Sequence, residues 1–113
     1  HAASYRAAFA SAGLAEVRLP VDDPAHVYHH FVIRAPARDR LRDHLAAAGI
    51  GTEIYYPQPL HRAPALEARS YRAGSCPRAE AACAEVLALP IHPALRRDAP
   101  ARVVDAIRGF YRG

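Results

Sequence analysis

The run Tyr56-Pro57-Gln58-Pro59-Leu60-His61 places a phenol and an imidazole at the two ends of a proline-stiffened turn. Each proline holds its φ near about −65°, so the residues between them have few conformations to lose. Imidazole titrates near neutral pH and can donate or accept a hydrogen bond. Presented into a cleft, His61 would donate to a phosphate or sugar oxygen or assist a proton transfer. The alternative is an exposed loop histidine with no such duty, and residue physics alone leans that way. Tyr55 and Tyr56 alternate in direction at a strand end, so one is expected in the core while the other presents its hydroxyl.

The remaining chemistry-bearing residues support less. Seven histidines raise a metal hypothesis, and His26, His29 and His30 are the densest group. On a strand, His26 and His30 share a face but stand about 13 Å apart, at about 3.3 Å per residue. His29 points the other way, whereas zinc ligands sit about 2 Å from the ion. No metal site is expected. Cys76 and Cys83, seven positions apart, would be separated by about 10.5 Å on a helix, too far for a disulfide. Two free thiols fit a reducing, cytoplasmic setting. Cys76 heads a helix, where a thiol can be acidified, but a small capping residue is the plainer reading. Ser4, Ser11, Ser70 and Ser75 lie in no nucleophile elbow. Gly49-Ile50-Gly51 lacks a third glycine and precedes a strand, the wrong order for a phosphate loop.

These residues need elements to hold them. A short helix is expected over residues 4–12, with Tyr5 and Phe9 on one face and Gly13 at its end. Val17 and Leu19 suggest a brief strand that Pro20 stops, and Asp22-Asp23-Pro24 a turn. Residues 26–34 form the clearest strand pattern, with Val27, His29, Phe31 and Ile33 on the buried face. A helix follows over 37–48, with Leu41, Leu45 and Ala48 inward and Arg38, Asp39, Arg40, Arg42 and Asp43 in water. Gly49 suits its left-handed end. A second strand spans 52–56, and Pro57 and Pro59 stop it. Residues 62–76 are irregular, with a turn of helix around 65–69. Pro77 opens a helix over 77–87 with Cys83, Val86 and Leu87 on one face. Leu89-Pro90-Ile91-His92-Pro93 is an extended linker. Asp98 caps a last helix whose stripe is Val103, Val104, Ile107, Phe110 and Tyr111. The order predicts a small two-layer α+β domain, a short, mostly antiparallel sheet with helices packed on it.

The chain has 113 residues, 51% hydrophobic and 23% charged, a globular balance for one domain that excludes disordered and collagen-like classes. No apolar run approaches the roughly 18 residues of a membrane span. The formal charge is +4 and the pI about 9.5. All 15 basic residues are Arg and none is Lys. They are scattered rather than blocked, which argues against a nucleic-acid stripe. The start, His1-Ala2-Ala3-Ser4, has neither an initiator Met nor an apolar signal core, and suggests a domain of a longer chain.

Taken in order, five segments carry a resemblance. They are Tyr28-His29-His30-Phe31-Val32-Ile33-Arg34, Arg38-Asp39 heading a helix, Ala48-Gly49-Ile50-Gly51-Thr52, Tyr56-Pro57-Gln58-Pro59-Leu60-His61, and Leu87-Ala88-Leu89-Pro90-Ile91-His92-Pro93 before a closing helix that ends Phe110-Tyr111. Together they resemble the C-terminal small domain of the DegT/DnrJ/StrS sugar aminotransferases, over residues 5–111. The two Pro-His elements are the specific part. Tyr55 departs from the pattern, where many members carry His, and so does His30, where Leu is common.

The resemblance implies an aspartate-aminotransferase-like fold in which residues 1–113 are the small domain. It implies pyridoxal phosphate as cofactor, bound mainly by a large domain, and amino transfer from glutamate to a nucleotide-linked keto sugar. It also implies a homodimer; the residues themselves point to no nucleic-acid or membrane partner. Tyr56 and His61 would line the cofactor and sugar side of the cleft. His29 matches the histidine of the family's strand. A related branch acts on cyclitols. No catalytic residue is assigned in this chain, because pyridoxal phosphate chemistry needs a Lys amine. This segment would close the active site and add substrate and dimer contacts. The rival reading is a stand-alone binding or regulatory module of the same fold, without the chemistry.

Overall fold

The computed structural model describes residues 1–69 and 74–113. Helix α1 (Ala2–Ala12) begins two residues earlier than expected and buries Tyr5 and Phe9. Gly13 ends it with φ 64°. Strand β1 (Phe31–Arg34) pairs antiparallel with β2 (Val86–Leu89), Phe31 opposite Leu89 and Ile33 opposite Leu87. Between them come helix α2 (Arg38–Ala47), two 3₁₀ turns at Leu60–Arg62 and Pro64–Arg69, and helix α3 (Pro77–Glu85). Helix α4 (Ala99–Arg112) closes the chain. The second 3₁₀ turn lies where a helical turn was expected. Residues 70–73 of that stretch, with Ser70, lie outside the described residues.

The sheet is shorter than the sequence patterns suggest. Only Phe31–Arg34 of the expected strand 26–34 is extended in a ladder. Upstream, local hydrogen bonds win. The Asp23 carboxylate accepts from the Ala25 N–H, and His26 Nδ1 accepts from the Tyr28 N–H, both at 2.8 Å. Tyr28 itself takes φ 51°. The chain therefore turns back on itself, and Val27 and His29, expected inside, are exposed. The expected strands at 17–19 and 52–56 each reduce to one bridge. Arg18 pairs with Arg34 at one edge and Glu53 with Ala88 at the other.

The expected helix 77–87 ends at Glu85. Val86 and Leu87 belong to β2, and Leu87, Ala88 and Leu89 are buried. An apolar run of this length reads equally well as buried strand or buried helix, and β1 supplies the partner that decides it. Helices α1 and α4 pack together, α4 also meets α2, and the core gathers Tyr5, Phe31, Ile33, Leu41, Leu45, Leu87, Val104 and Ile107. The Tyr5 ring stacks on Phe31 at 4.8 Å. Its hydroxyl donates to the Pro90 carbonyl at 2.7 Å, and burial pushes its pKa well above the ordinary tyrosine value.

Helix α2 ends as expected. The Ile50 N–H reaches the Leu45 carbonyl and the Gly49 N–H the Ala46 carbonyl, both at 2.9 Å, with Gly49 at φ 73°. This paired closure satisfies carbonyls that the helix leaves open. Leu41 and Leu45 are buried, but Ala48 is exposed. Arg38, expected in water, is only 6% exposed. Its Nη1 donates to the Val86 carbonyl at 2.8 Å, tying α2 to the start of β2. On α4, Val103, Val104 and Ile107 are buried, with Phe110 and Tyr111 half-buried. Asp98 holds the N-cap position, but its carboxylate pairs with Arg96 rather than capping the helix. Among the described residues, no helix is long and apolar enough to cross a membrane.

Candidate functional site

The turn that carries Tyr56 and His61 hangs between two anchors. The first is the sheet edge, where the Glu53 N–H donates to the Ala88 carbonyl at 3.2 Å and the Ala88 N–H to the Glu53 carbonyl at 2.7 Å. Past it, Ile54 packs against the core. Tyr55 and Tyr56 then face outward, 38% and 70% exposed, so neither is the expected core residue. Pro57 and Pro59 frame the bend. The Gln58 side-chain amide donates to the Arg62 carbonyl, and the Arg62 N–H to the Pro59 carbonyl at 2.9 Å, which closes the 3₁₀ turn Leu60–Arg62.

The second anchor is His61. Its side chain is 9% exposed, and its Nε2 lies 2.8 Å from Glu80 Oε1 on α3. The imidazole is therefore neither a free loop group nor one pointing into open solvent. It turns inward beside a hollow of about 370 Å³ lined by Leu60, Leu66, Cys76 and Ala79. Glu80 also accepts from the Gly74 N–H, at 2.8 Å to Oε1 and 2.9 Å to Oε2.

His61 holds the Glu80 carboxyl below its ordinary pKa, and the Gly74 and Cys76 N–H groups act in the same direction. A carboxyl with a depressed folded-state pKa stabilises the fold above its unfolded pKa and loses that contribution as pH falls through the folded value. In an acid titration followed by NMR, the Gly74 amide proton should keep its hydrogen-bonded shift down to the ordinary glutamate range. It should lose that shift only below it, and a midpoint at or above the ordinary value would contradict the geometry.

His29 lies elsewhere in the fold. It is exposed, its ring 4.1 Å from that of His30. The His30 ring contacts Tyr55 at 4.5 Å, and Tyr55 contacts Tyr56 at 5.7 Å. A run of four rings thus links His29 to Tyr56 beside the sheet edge. His29, His30, Glu53, Tyr55, Ile91 and His92 line a hollow of about 230 Å³ there. The structure joins His29 and Tyr56 through this run and turns His61 toward α3. Because residues 26–30 precede β1, the strand spacing argued for His26 and His30 does not apply, and His26 stacks on Tyr28 at 4.1 Å. Among the described residues, no three His, Cys, Asp or Glu side chains gather to hold a metal ion. Cys76 is exposed, Cys83 half-buried, and both are free thiols. Sequence reasoning passed over Glu80, and its only signal was an acidic residue in the first turn after Pro77.

Among the described residues, four α-helices on a two-stranded antiparallel sheet, with an aromatic turn leaving the sheet edge, form a small α+β domain also seen in solved aminotransferases. The structure of S. venezuelae DesV matches with a TM-score of 0.88 and 44% identity, over 96% of this chain and 29% of that one. The model of the DegT/DnrJ/EryC1/StrS aminotransferase family matches residues 1–108, and the chain belongs to that family. A dTDP-3-amino-3,4,6-trideoxy-alpha-D-glucose transaminase of Streptomyces venezuelae is 46% identical over 99 residues, 86% of this chain and 26% of the relative. A pleiotropic regulatory protein of Geobacillus stearothermophilus is 45% identical over 92 residues, 81% of this chain and 25% of the relative. The chain therefore spans about a quarter of the length of these relatives.

Proposed function

We propose that this chain is the small domain of a pyridoxal-phosphate-dependent aminotransferase that moves an amino group from glutamate onto a nucleotide-linked keto sugar. The observation that carries the reading is the turn that leaves the sheet edge with Tyr56 exposed at its start, on a domain so similar to that of DesV. In this reading the domain covers one side of the active-site cleft and contributes to a homodimer in the cytoplasm. Tyr56 and the rings leading to His29 face the sugar, and the inward-turned His61 supports that wall.

The chain does not itself fit the cofactor's covalent requirement. Its sequence has no lysine, and holding pyridoxal phosphate for amino transfer requires a lysine amine. The cofactor belongs mainly to the rest of a protein of the relatives' length, where it supplies the electron sink for the transfer. This chain's own residues bind, orient and exclude water.

A full-length protein carrying this chain should convert a nucleotide-linked keto sugar to its amino sugar with stoichiometric loss of glutamate. The 113-residue chain, mixed with pyridoxal phosphate, should give no turnover and no new absorbance near the visible edge. Turnover by the isolated chain, or none by the full-length protein with any nucleotide-linked keto sugar, would sink the reading.

A further inference from the structure

We infer that Glu80 is the positioning residue of the 55–62 turn, setting where Tyr56 stands on the proposed sugar-facing wall; the inference rests on the function proposed above. Three observations carry it. First, the turn buries little of itself. Tyr56 and Leu60 are 70% and 78% exposed, so apolar packing does not hold its middle. Second, a cavity of about 310 Å³, lined by Pro57, Pro59, Arg62, Glu80 and Cys83, separates the turn from α3. Across this gap His61 Nε2 meets Glu80 Oε1 at 2.8 Å, a polar link from the turn to α3. Third, Glu80 stands on a firm base. Helix α3 runs without a break into β2, which is paired along its length with β1. The Glu80 carboxylate is itself oriented, because both of its oxygens accept from the Gly74 N–H.

A charge-assisted bond from a fixed helix to a loop limits where the loop can stand. With the Glu53–Ala88 bridge holding the other end, the residues between have two fixed ends and prolines inside. Glu80 touches no substrate in this arrangement. It acts through His61, and its effect should fall on the substrate that meets Tyr56.

The test uses the full-length protein with Glu80→Ala, Glu80→Gln, His61→Ala and the Glu80→Ala/His61→Ala double variant. Glu80→Ala should raise KM for the keto sugar about tenfold or more, the scale of one charge-assisted hydrogen bond. The KM for glutamate and kcat should stay within about twofold, since each reports a different step. Glu80→Gln keeps one acceptor and the side chain's shape, and should recover part of the loss. The double variant should be no worse than the poorer single one, because the two residues form one contact. Equal losses for both substrates, or additive losses, would overturn the inference. Hydrogen exchange at the Leu60, His61 and Arg62 amides provides a readout that needs no activity. Faster exchange in Glu80→Ala, with an intermediate rate in Glu80→Gln, supports the inference even if the aminotransferase reading fails. Unchanged exchange overturns it even if that reading stands.

Discussion

Replacing Phe31 with alanine should cost this domain about 3–5 kcal/mol, the range for removing a fully buried aromatic ring. Phe31 has no exposed surface. It stacks on Tyr5 at 4.8 Å and contacts the Tyr28 ring at 5.9 Å. Across the ladder it faces Leu89. Its ring therefore joins α1, β1, β2 and the loop before β1. Domains of this size are stable by only about 5–15 kcal/mol in all. The urea midpoint should fall by at least about a fifth, and the m-value should hold if the transition stays two-state. A loss below about 1 kcal/mol would show that Phe31 is not the centre of the core.

The second large effect is expected at Arg38. Its side chain is 6% exposed, yet it carries a charge. Nη1 donates to the Val86 carbonyl at 2.8 Å, and Nε donates to Asp39 Oδ1 at 3.0 Å. Two residues along β2, the Glu53 bridge serves Ala88. The guanidinium thus does for Val86 what a neighbouring strand does for Ala88. Arg38→Ala removes both the bond and the packing of the aliphatic stem, and leaves a carbonyl without this donor. A loss of about 2–3 kcal/mol is expected, the range for a bond to a charged group. Arg38→Met keeps the stem and should recover about 1 kcal/mol through packing alone. Equal losses in the two variants would place the whole effect in the hydrogen bond. Thermal melts of the two variants beside the parent separate these contributions.

Much of the framework was legible from local residue chemistry. Gly49 ends α2 because its φ of 73° suits a residue without a Cβ. Pro77 opens α3, where its missing N–H costs nothing. Phe31 and Ile33 alternate inward, as a half-buried strand requires. The family pattern in the Pro-His elements was legible too, and the family match over residues 1–108 agrees with it. Two of the misses share one cause, the presence or absence of a strand partner. Val27 and His29 fit the alternation of β1, but among the described residues no strand pairs with them, and the Asp23 and His26 side chains offered the backbone nearer partners. Val86 and Leu87 fit a helical face, but β1 stood beside them.

The candidate site divides in the same way. By itself, the sequence determined that residues 56–61 form a stiff turn bearing a phenol and an imidazole, since proline restricts φ wherever it stands. It also determined that no lysine amine is available in this chain. The direction of each ring was decided by tertiary structure. His61 points inward because Glu80, nineteen positions later, arrives on α3 within hydrogen-bond reach. Tyr56 points outward because the sheet edge releases the chain after Glu53. Spacing along a chain sets what a segment can adopt, but a hydrogen bond falls off within a few ångströms. Only the fold brings two distant residues that close.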